Sequence, residues 1–210
     1  MWFTLLGTLL LSACAQLDPP TINLYRAIHS GDLDQIERHL HHGTDINERD
    51  RNGDTPLHVA AHRGKPVIAR MLVKHGAELE ALDSRGRTPM SVALLAGKTQ
   101  VGRLLQESGA KLEPQKLLFE AIREGADYRD LYEFLHEQGA DPNAAGEDGL
   151  TPLLVAIETG DRLVAKRLID LGADVNLRDG DERSPLAAAL ALDNQDIARL
   201  LKRNGAVENP

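Results

Sequence analysis

The amino-acid sequence predicts an all-α repeat protein, an α-solenoid of six stacked helix-turn-helix units joined by short β-hairpin fingers. Two observations carry this prediction. A glycine followed by a small residue recurs at intervals of 33, 33, 30, 33 and 33 residues, from Gly43 to Gly205. A hydroxyl residue followed by proline stands 21 residues ahead of four of these glycines. A period of roughly 20 to 50 residues is typical of stacked repeats, each of which contacts only its neighbours.

The first helix of a unit begins at the hydroxyl–proline pair. In Thr55-Pro56 the threonine hydroxyl is suited to cap a helix. Proline is suited to the first helical position, because the backbone N–H that it lacks would have no hydrogen-bond partner within the helix there. The small residues Ala60 and Ala61 permit a close approach of helices, and Gly64 suits the end of a short helix. A helix of about two turns is therefore expected from Pro56 onwards.

The second helix is expected from about residue 66 to residue 75. Its apolar residues Ile68, Met71 and Leu72 stand at positions i, i+3 and i+4, which is the pattern of one buried helix face. Gly76 then ends the helix and begins the excursion to the next finger.

The first and last units differ from the others in the way that terminal repeats do. Unit one lacks the hydroxyl–proline pair and has Gln35 and His39 where later units have aliphatic residues. The last unit has Lys202 where Val73 and Ile169 stand in other units. Polar residues at these places are expected of end units, because one face of each end unit meets water.

Unit four is the irregular repeat of the array. Between Gly109 and Leu118 it is five residues shorter than the other units, and between Gly125 and Gly139 it is two residues longer. We therefore expect one truncated finger and one lengthened turn between helices.

Two sequence motifs identify the repeat family. Residues 53–61 read Gly-Asp-Thr-Pro-Leu-His-Val-Ala-Ala, and residues 172–176 read Gly-Ala-Asp-Val-Asn. Both resemble the ankyrin repeat, and the resemblance covers residues 21–207 as one six-repeat domain. It implies a monomer when free, without cofactors, which binds another protein through a concave surface of fingers and first helices. It also implies that the imidazole of His58 serves backbone hydrogen bonding rather than chemistry.

The N-terminus resembles an export signal. Residues 1–13 have no charged side chain, are too few to span a bilayer, and are long enough for the apolar region of a signal peptide. Leu11-Ser12-Ala13-Cys14 resembles the lipobox of bacterial lipoproteins. This implies cleavage before Cys14, fatty acylation of its thiol, palmitate included, and a short tether over residues 14–20. In that family an alanine in the place of Ala15 accompanies outer-membrane sorting, so the chain is expected in the cell envelope facing the periplasm.

Two other interpretations of this segment stay open. Ala13-Cys14-Ala15 also fits the small-x-small pattern of ordinary signal cleavage, which would release a protein without cysteine. The apolar run is alternatively a tail that packs on the domain. The lack of a basic residue before the apolar run weakens any signal-peptide interpretation.

Composition excludes several classes of function. The chain has 210 residues and a formal net charge of −8, which disfavours nucleic-acid binding because that needs a basic face. A single cysteine excludes an intramolecular disulfide and a zinc site built on several thiolates. His58 and His62 have a spacing that suits a metal, but no clear carboxylate completes a ligand set, so no metal is expected. None of the common catalytic motifs is present, and we expect no enzyme activity.

The candidate partner-binding residues are the predicted finger tips, the end of one first helix and an aromatic pair. Residues 21–110 have 12 basic and 11 acidic side chains, whereas residues 111–210 have 12 basic and 20 acidic ones, so early tips are basic and late tips acidic. For Tyr128 and Tyr132, a packing role inside unit four stays open beside a role as partner anchors. The predicted residues are Arg51, Asn52, Asp54, His62, Arg63, Arg85, Arg87, Tyr128, Tyr132, Glu147, Asp148, Asp179, Asp181 and Glu182.

Two functional hypotheses fit a tethered binding protein. One is a periplasmic scaffold or an accessory factor of an envelope enzyme. The other is an immunity protein that neutralises a secreted toxin such as a lipase, as suggested by small bacterial ankyrin lipoproteins encoded beside toxins.

Overall fold

A computed structural model describes residues 17–208 of the chain, and within them twelve helices form six consecutive pairs. The first helices of the pairs are seven residues long except α7, which has ten. In chain order the helices are α1 (Leu24–Ser30), α2 (Leu33–His41), α3 (Pro56–His62), α4 (Pro66–Lys74), α5 (Pro89–Leu95), α6 (Thr99–Glu107), α7 (Pro114–Arg123), α8 (Arg129–Glu137), α9 (Pro152–Glu158), α10 (Arg162–Asp170), α11 (Pro185–Ala191) and α12 (Gln195–Arg203). The predicted all-α solenoid is confirmed.

Hydroxyl caps start four of the first helices, as the sequence predicts. The hydroxyls of Thr55, Thr88, Thr151 and Ser184 each accept a hydrogen bond from the backbone three residues later, and proline follows at once. Each hydroxyl thereby satisfies one of the donors that a helix start leaves open.

The core is a continuous row of leucines between neighbouring units. Leu72, Leu105, Leu168 and Leu201 occupy the same position of four second helices, and all four are buried. Among the first helices, α1 packs on α3, α3 on α5, α7 on α9 and α9 on α11, whereas the backbones of α5 and α7 scarcely approach each other. The row of first helices is therefore interrupted between units three and four, where the second helices α6 and α8 still pack on each other.

Side chains at the start of the second helices cover the glycine that ends the preceding unit's first helix. A Cβ placed on Gly64 would lie 2.8 Å from Lys98 Cδ, and one on Gly97 would lie 2.7 Å from the Tyr128 ring. Both glycines have positive φ angles, +63° and +68°. Glycine is required at both positions for two reasons. The backbone is left-handed, and the side chain that packs over the glycine leaves no room for a Cβ.

Amide side chains join neighbouring units on the finger side, except at Glu80, whose carboxylate accepts from the Lys111 backbone at 2.8 Å. Asn143 accepts from the Asp174 backbone at 2.7 Å and donates to the Gly172 carbonyl at 3.0 Å. Asn47 and Asn176 make the same pair of bonds to the units that follow them. In the irregular unit Gln115 takes over this role toward Asp141.

The fingers, predicted as β-hairpins, contain no strand within residues 17–208. Each regular finger is a tight turn closed by two backbone bonds. In residues 83–87, for example, Asp83 donates to the Arg87 carbonyl at 2.9 Å and Gly86 donates to the Asp83 carbonyl at 3.0 Å. One pair of residues joined across the turn is too short to form the backbone hydrogen-bond ladder of two β-strands.

Unit four has a short connection where the others have a finger. Six residues, 108–113, link α6 to α7, whereas fourteen, 75–88, link α4 to α5. The longer α7 takes up part of the missing segment with an additional helical turn at its start. The turn between α7 and α8 has five residues, 124–128, where the turn between α3 and α4 has three.

Candidate protein-binding surface

An aspartate inside the finger holds the finger of residues 83–87 in shape. The Asp83 carboxylate accepts from the backbones of Arg85 and Arg87, at 2.8 and 2.9 Å, and from Arg87 Nε at 2.9 Å. Asp83 is only 7% exposed. Burial opposes ionisation, but the hydrogen bonds from Arg87 and Arg85 outweigh it and hold the pKa of Asp83 below its ordinary value. Arg87, a predicted partner contact, therefore uses its Nε for a bond inside the finger. Its guanidinium also forms an ion pair with Glu124.

The finger of residues 179–183 is built in the same way, which corrects the prediction for Asp179. This carboxylate accepts from the backbones of Asp181 and Arg183, at 3.0 and 2.8 Å, and from Arg183 Nε at 2.9 Å. Asp179 is 8% exposed. It was predicted to bind the partner, but its oxygens face the finger's own donors, so it is a structural residue.

The buried imidazole of His58 joins unit two to the next finger. Its Nδ1 accepts from the Thr55 backbone at 3.2 Å, and its Nε2–H donates to the Arg87 carbonyl at 3.0 Å. Burial lowers the pKa of His58, so the ring is neutral at physiological pH. In unit one Tyr25 stands at the equivalent position and donates its hydroxyl to the Asp54 carbonyl at 2.7 Å. Sequence reasoning missed this exchange of tyrosine for histidine, although the 33-residue spacing was the available signal.

A groove of about 580 Å³ lies where the fingers of residues 50–54 and 83–87 meet α3 and α5. It brings together five of the predicted residues, which are Asn52, Asp54, His62, Arg85 and Arg87. Asn52, His62 and Arg85 are exposed, and so are the neighbouring Arg51 and Arg63.

The groove also contains residues that sequence reasoning missed. Val92 and Leu95 supply an apolar part of its wall, and Glu124 supplies an acidic one. Burial and the nearby carboxylate of Asp50 raise the pKa of Asp54 above its ordinary value. Val92 and Leu95 stand three residues apart in α5, a spacing that indicates a shared helix face but does not indicate a groove wall. The arrangement can bind side chains of mixed polarity, and it offers no nucleophile activated by a neighbouring base.

The acidic tips lie on the later fingers. Glu147, Asp148, Asp181 and Glu182 are exposed, and Asp148 pairs with Arg123 at 2.7 Å. The missing finger of unit four separates these acidic tips from the basic tips at Arg51 and Arg85. The structure therefore does not bring the early and late predicted residues together in one pocket.

The two predicted tyrosines do not form a surface pair. Tyr128 is 45% exposed and its ring lies over Gly97. Tyr132 is 1% exposed. The prediction that Tyr132 anchors a partner beside Tyr128 is wrong, because the helix turns Tyr132 into the core while Tyr128 stays on the turn before the helix.

Several predictions fall outside this surface. Cys14 and the segment of residues 1–13 lie outside the described residues. Within residues 17–208, no helix has both the length and the apolar composition needed to cross a bilayer. The same residues contain no group of three or more histidine, cysteine, aspartate or glutamate side chains arranged to hold a metal ion.

Comparison with known proteins decides the family. A family model described as "Ankyrin repeats (3 copies)" matches residues 24–116 and again residues 118–209. The chain belongs to the ankyrin repeat family. Ankyrin repeat proteins are generally non-enzymatic modules that bind other proteins.

Similar proteins include relatives of very different size and function. The Arabidopsis thaliana potassium channel SKOR is 45% identical over 184 residues, which are 86% of this chain and 22% of the channel. The chain thus spans about a fifth of the length of this relative.

Solved structures extend the similarity to the whole repeat array. An ankyrin repeat domain from Acinetobacter baumannii AYE has a TM-score of 0.63 and 29% identity, covering 88% of this chain and 98% of that one. The ankyrin repeat domain of Bcl-3 has a TM-score of 0.69 and 26% identity, covering 90% of this chain and 89% of that one. A chain from the complex of a Bdellovibrio bacteriovorus predatory endopeptidase with an immunity protein has a TM-score of 0.65 and 25% identity, covering 88% and 98%.

Proposed function

We propose that this ankyrin repeat protein is tethered to a bacterial membrane on its periplasmic side and binds another protein through the surface of fingers and first helices. The groove at Asn52, His62 and Arg85 carries the proposal. These side chains are exposed at one place, whereas the turn of residues 83–87 is held by other residues such as Asp83. Exposed polar groups around a small apolar wall are typical of protein–protein contact surfaces.

The chemistry of the groove favours a partner segment with carboxylate groups. Arg85 lies on the rim without an ion pair to a carboxylate within the described residues, and His62 stands beside it on α3. Val92 and Leu95 offer contact to an apolar side chain of the same segment. The groove thus binds and orients, and the proposal assigns it no catalytic step.

Acylation of Cys14 is the proposed means of attachment to the membrane. Acylation there would add about 0.8 kcal/mol of membrane affinity for each buried methylene, so several acyl chains would hold the protein permanently at the envelope. Cys14→Ser should abolish incorporation of labelled palmitate and release the protein from the membrane fraction. If wild type and variant fractionate alike, the tether is wrong, and soluble export becomes the better interpretation.

An immunity function is the first candidate for the biological role. The similarity to a chain from the endopeptidase–immunity protein complex, at nearly full length of both chains, supports it. A tethered inhibitor would be held where an enzyme that attacks the envelope acts. An accessory role for an envelope enzyme is the alternative. Deletion of the gene distinguishes the two roles, because it should make the cell sensitive to the toxin if the protein is an immunity protein and should lower the activity of the envelope enzyme if the protein is an accessory factor.

Site-specific photo-cross-linking in living cells tests the binding surface. A photo-reactive amino acid at Asn52 or Arg85 should give a cross-linked product with one protein of defined mass. The same amino acid at Glu37 or Arg70, which are exposed on the outer helices α2 and α4, is the matched control and should give none. Cross-links of equal yield from both sets of positions would contradict a partner bound at the fingers.

A further inference from the structure

A second cavity lies between the second helices α8 and α10, and no finger residue lines it. We call it the outer cavity. Its volume is about 350 Å³, within the size range of small-molecule sites. Tyr132, Arg167, Leu163 and Leu171 line it, and the ion pairs Arg129–Glu133 and Lys166–Asp170 stand at it.

Two departures from the repeat pattern meet in this cavity. The position of Tyr132 is taken in four other units by alanine or glycine, and in unit one by Ile36. Those small residues are Ala69, Gly102, Ala165 and Ala198.

Arg167 is the second departure. Its position is apolar in four other units, as Met71, Leu104, Phe134 and Leu200. In unit one the position holds Arg38, which belongs to a terminal repeat and pairs with Asp34. A tyrosine in place of a small residue and an arginine in place of an apolar one thus occur together at a single internal interface.

The polar atoms of both residues lack partners. The Tyr132 hydroxyl and Arg167 Nε are shielded from solvent, and neither has a hydrogen-bond partner. Within residues 17–208, no ion pair joins Arg167 to a carboxylate, whereas both other cations at the cavity are paired. Burial raises the pKa of Tyr132, so its hydroxyl is protonated at neutral pH and is a donor.

The chemistry of the cavity defines the ligand it fits. Two buried donors without acceptors cost free energy unless a ligand supplies the acceptors. One unpaired guanidinium favours a negative charge, and its planar fork matches a carboxylate. Leu163 and Leu171 offer contact to a short hydrocarbon group beside that charge.

We propose that the outer cavity binds a small carboxylate that carries a short apolar group, with the guanidinium of Arg167 as the charged donor and the hydroxyl of Tyr132 as a second donor, which a small rotation of the side chain brings to the cavity wall. The site lies away from the fingers and goes beyond the proposed function. Its failure would leave partner binding at the groove untouched.

Titration of the purified full chain with hexanoate, followed by heteronuclear NMR, tests the proposal. The signals of Arg167 Nε–H and of the α8 and α10 backbones should shift and saturate below about 50 mM hexanoate. Hexanol, which lacks the charge, should bind at least about tenfold more weakly, since a charge-assisted bond contributes about that factor. Inorganic phosphate, which lacks the apolar group, should also bind at least about tenfold more weakly, since two buried methylenes at about 0.8 kcal/mol each contribute that factor.

Two variants show whether the shifts belong to the cavity. Tyr132→Phe removes only the hydroxyl, and Arg167→Met restores the residue type that Met71 represents in α4. Each should weaken hexanoate binding about 10- to 100-fold. Arg199→Met makes the same change of charge one unit further along, on the exposed face of α12, and should leave the affinity unchanged.

Three outcomes would overturn the proposal. They are the absence of saturable shifts, equal affinity for phosphate, and affinity that is unchanged in both cavity variants. Because Tyr132→Phe preserves the ring, the test remains decisive even if Arg167→Met fails to fold.

Discussion

Leu105→Ala should destabilise the stack by about 3 to 4 kcal/mol. Leu105 is 1% exposed in α6, so its side chain contributes its full transfer free energy. Loss of three carbon atoms costs about 2 kcal/mol at roughly 0.8 kcal/mol for each methylene. The cavity adds about 1 to 2 kcal/mol, because the surrounding helices can collapse only partly, and the sum lies inside the usual range of about 2 to 5 kcal/mol for buried leucine.

Urea titration followed by far-ultraviolet circular dichroism measures this cost. Glu107→Ala is the control in the same helix, since Glu107 is exposed, and Lys202→Ala is the control in the last unit. Both should change the free energy of unfolding by less than about 0.5 kcal/mol. If Lys202→Ala costs as much as Leu105→Ala, the assignment of the buried helix face is refuted.

Asp83→Asn should make the free energy of unfolding depend less on pH in acid. The carboxylate of Asp83 has a lowered pKa in the folded protein, so it contributes stability above the unfolded pKa of about 4, and this contribution is lost as pH falls through the folded pKa. Thermal melts from pH 7 to pH 3 measure the difference, and identical slopes would contradict the role of the carboxylate. Gly97→Ala and Tyr128→Ala should both lower the melting temperature, the first because its Cβ would lie 2.7 Å from the Tyr128 ring. An unshifted melt of Tyr128→Ala with lost partner affinity would instead support the predicted role of Tyr128 as a partner anchor. Exchange of Asp181 and Glu182 for their amides should slow partner association at low salt more than at high salt, as stopped-flow mixing can show, and an unchanged rate would place the interface elsewhere.

The repeat period was sufficient to predict the helices, their caps and the irregular unit. A hydroxyl residue followed by proline is a local signal for the start of a helix, and α3 begins at Pro56 as this signal predicts. The buried leucines likewise follow from a helical spacing that allows only one apolar face. These features are local, so one sequence was enough to predict them.

The candidate surface was predicted less completely, because exposure depends on how each turn closes and on how neighbouring helices pack. Asp179 looked like a charged tip, but only the closed turn shows that its oxygens meet the backbone of Arg183. Tyr132 and Tyr128 stand one helical turn apart, yet the helix begins between them and separates their environments. No local pattern indicates that Arg167 lacks an acidic partner, since that depends on α8 and α10 together.

The scarcity of contact between α5 and α7 has a mechanical consequence for the whole array. A linear stack is held by nearest-neighbour interfaces, so its cooperativity fails first at the weakest of them. We expect the joint between units three and four to be that place, since the finger that would bridge it is missing and the two first helices scarcely approach each other, which leaves the packing of α6 on α8 to hold it. Under tension applied to its ends, the protein should part there into two blocks of three repeats and extend in two steps instead of one.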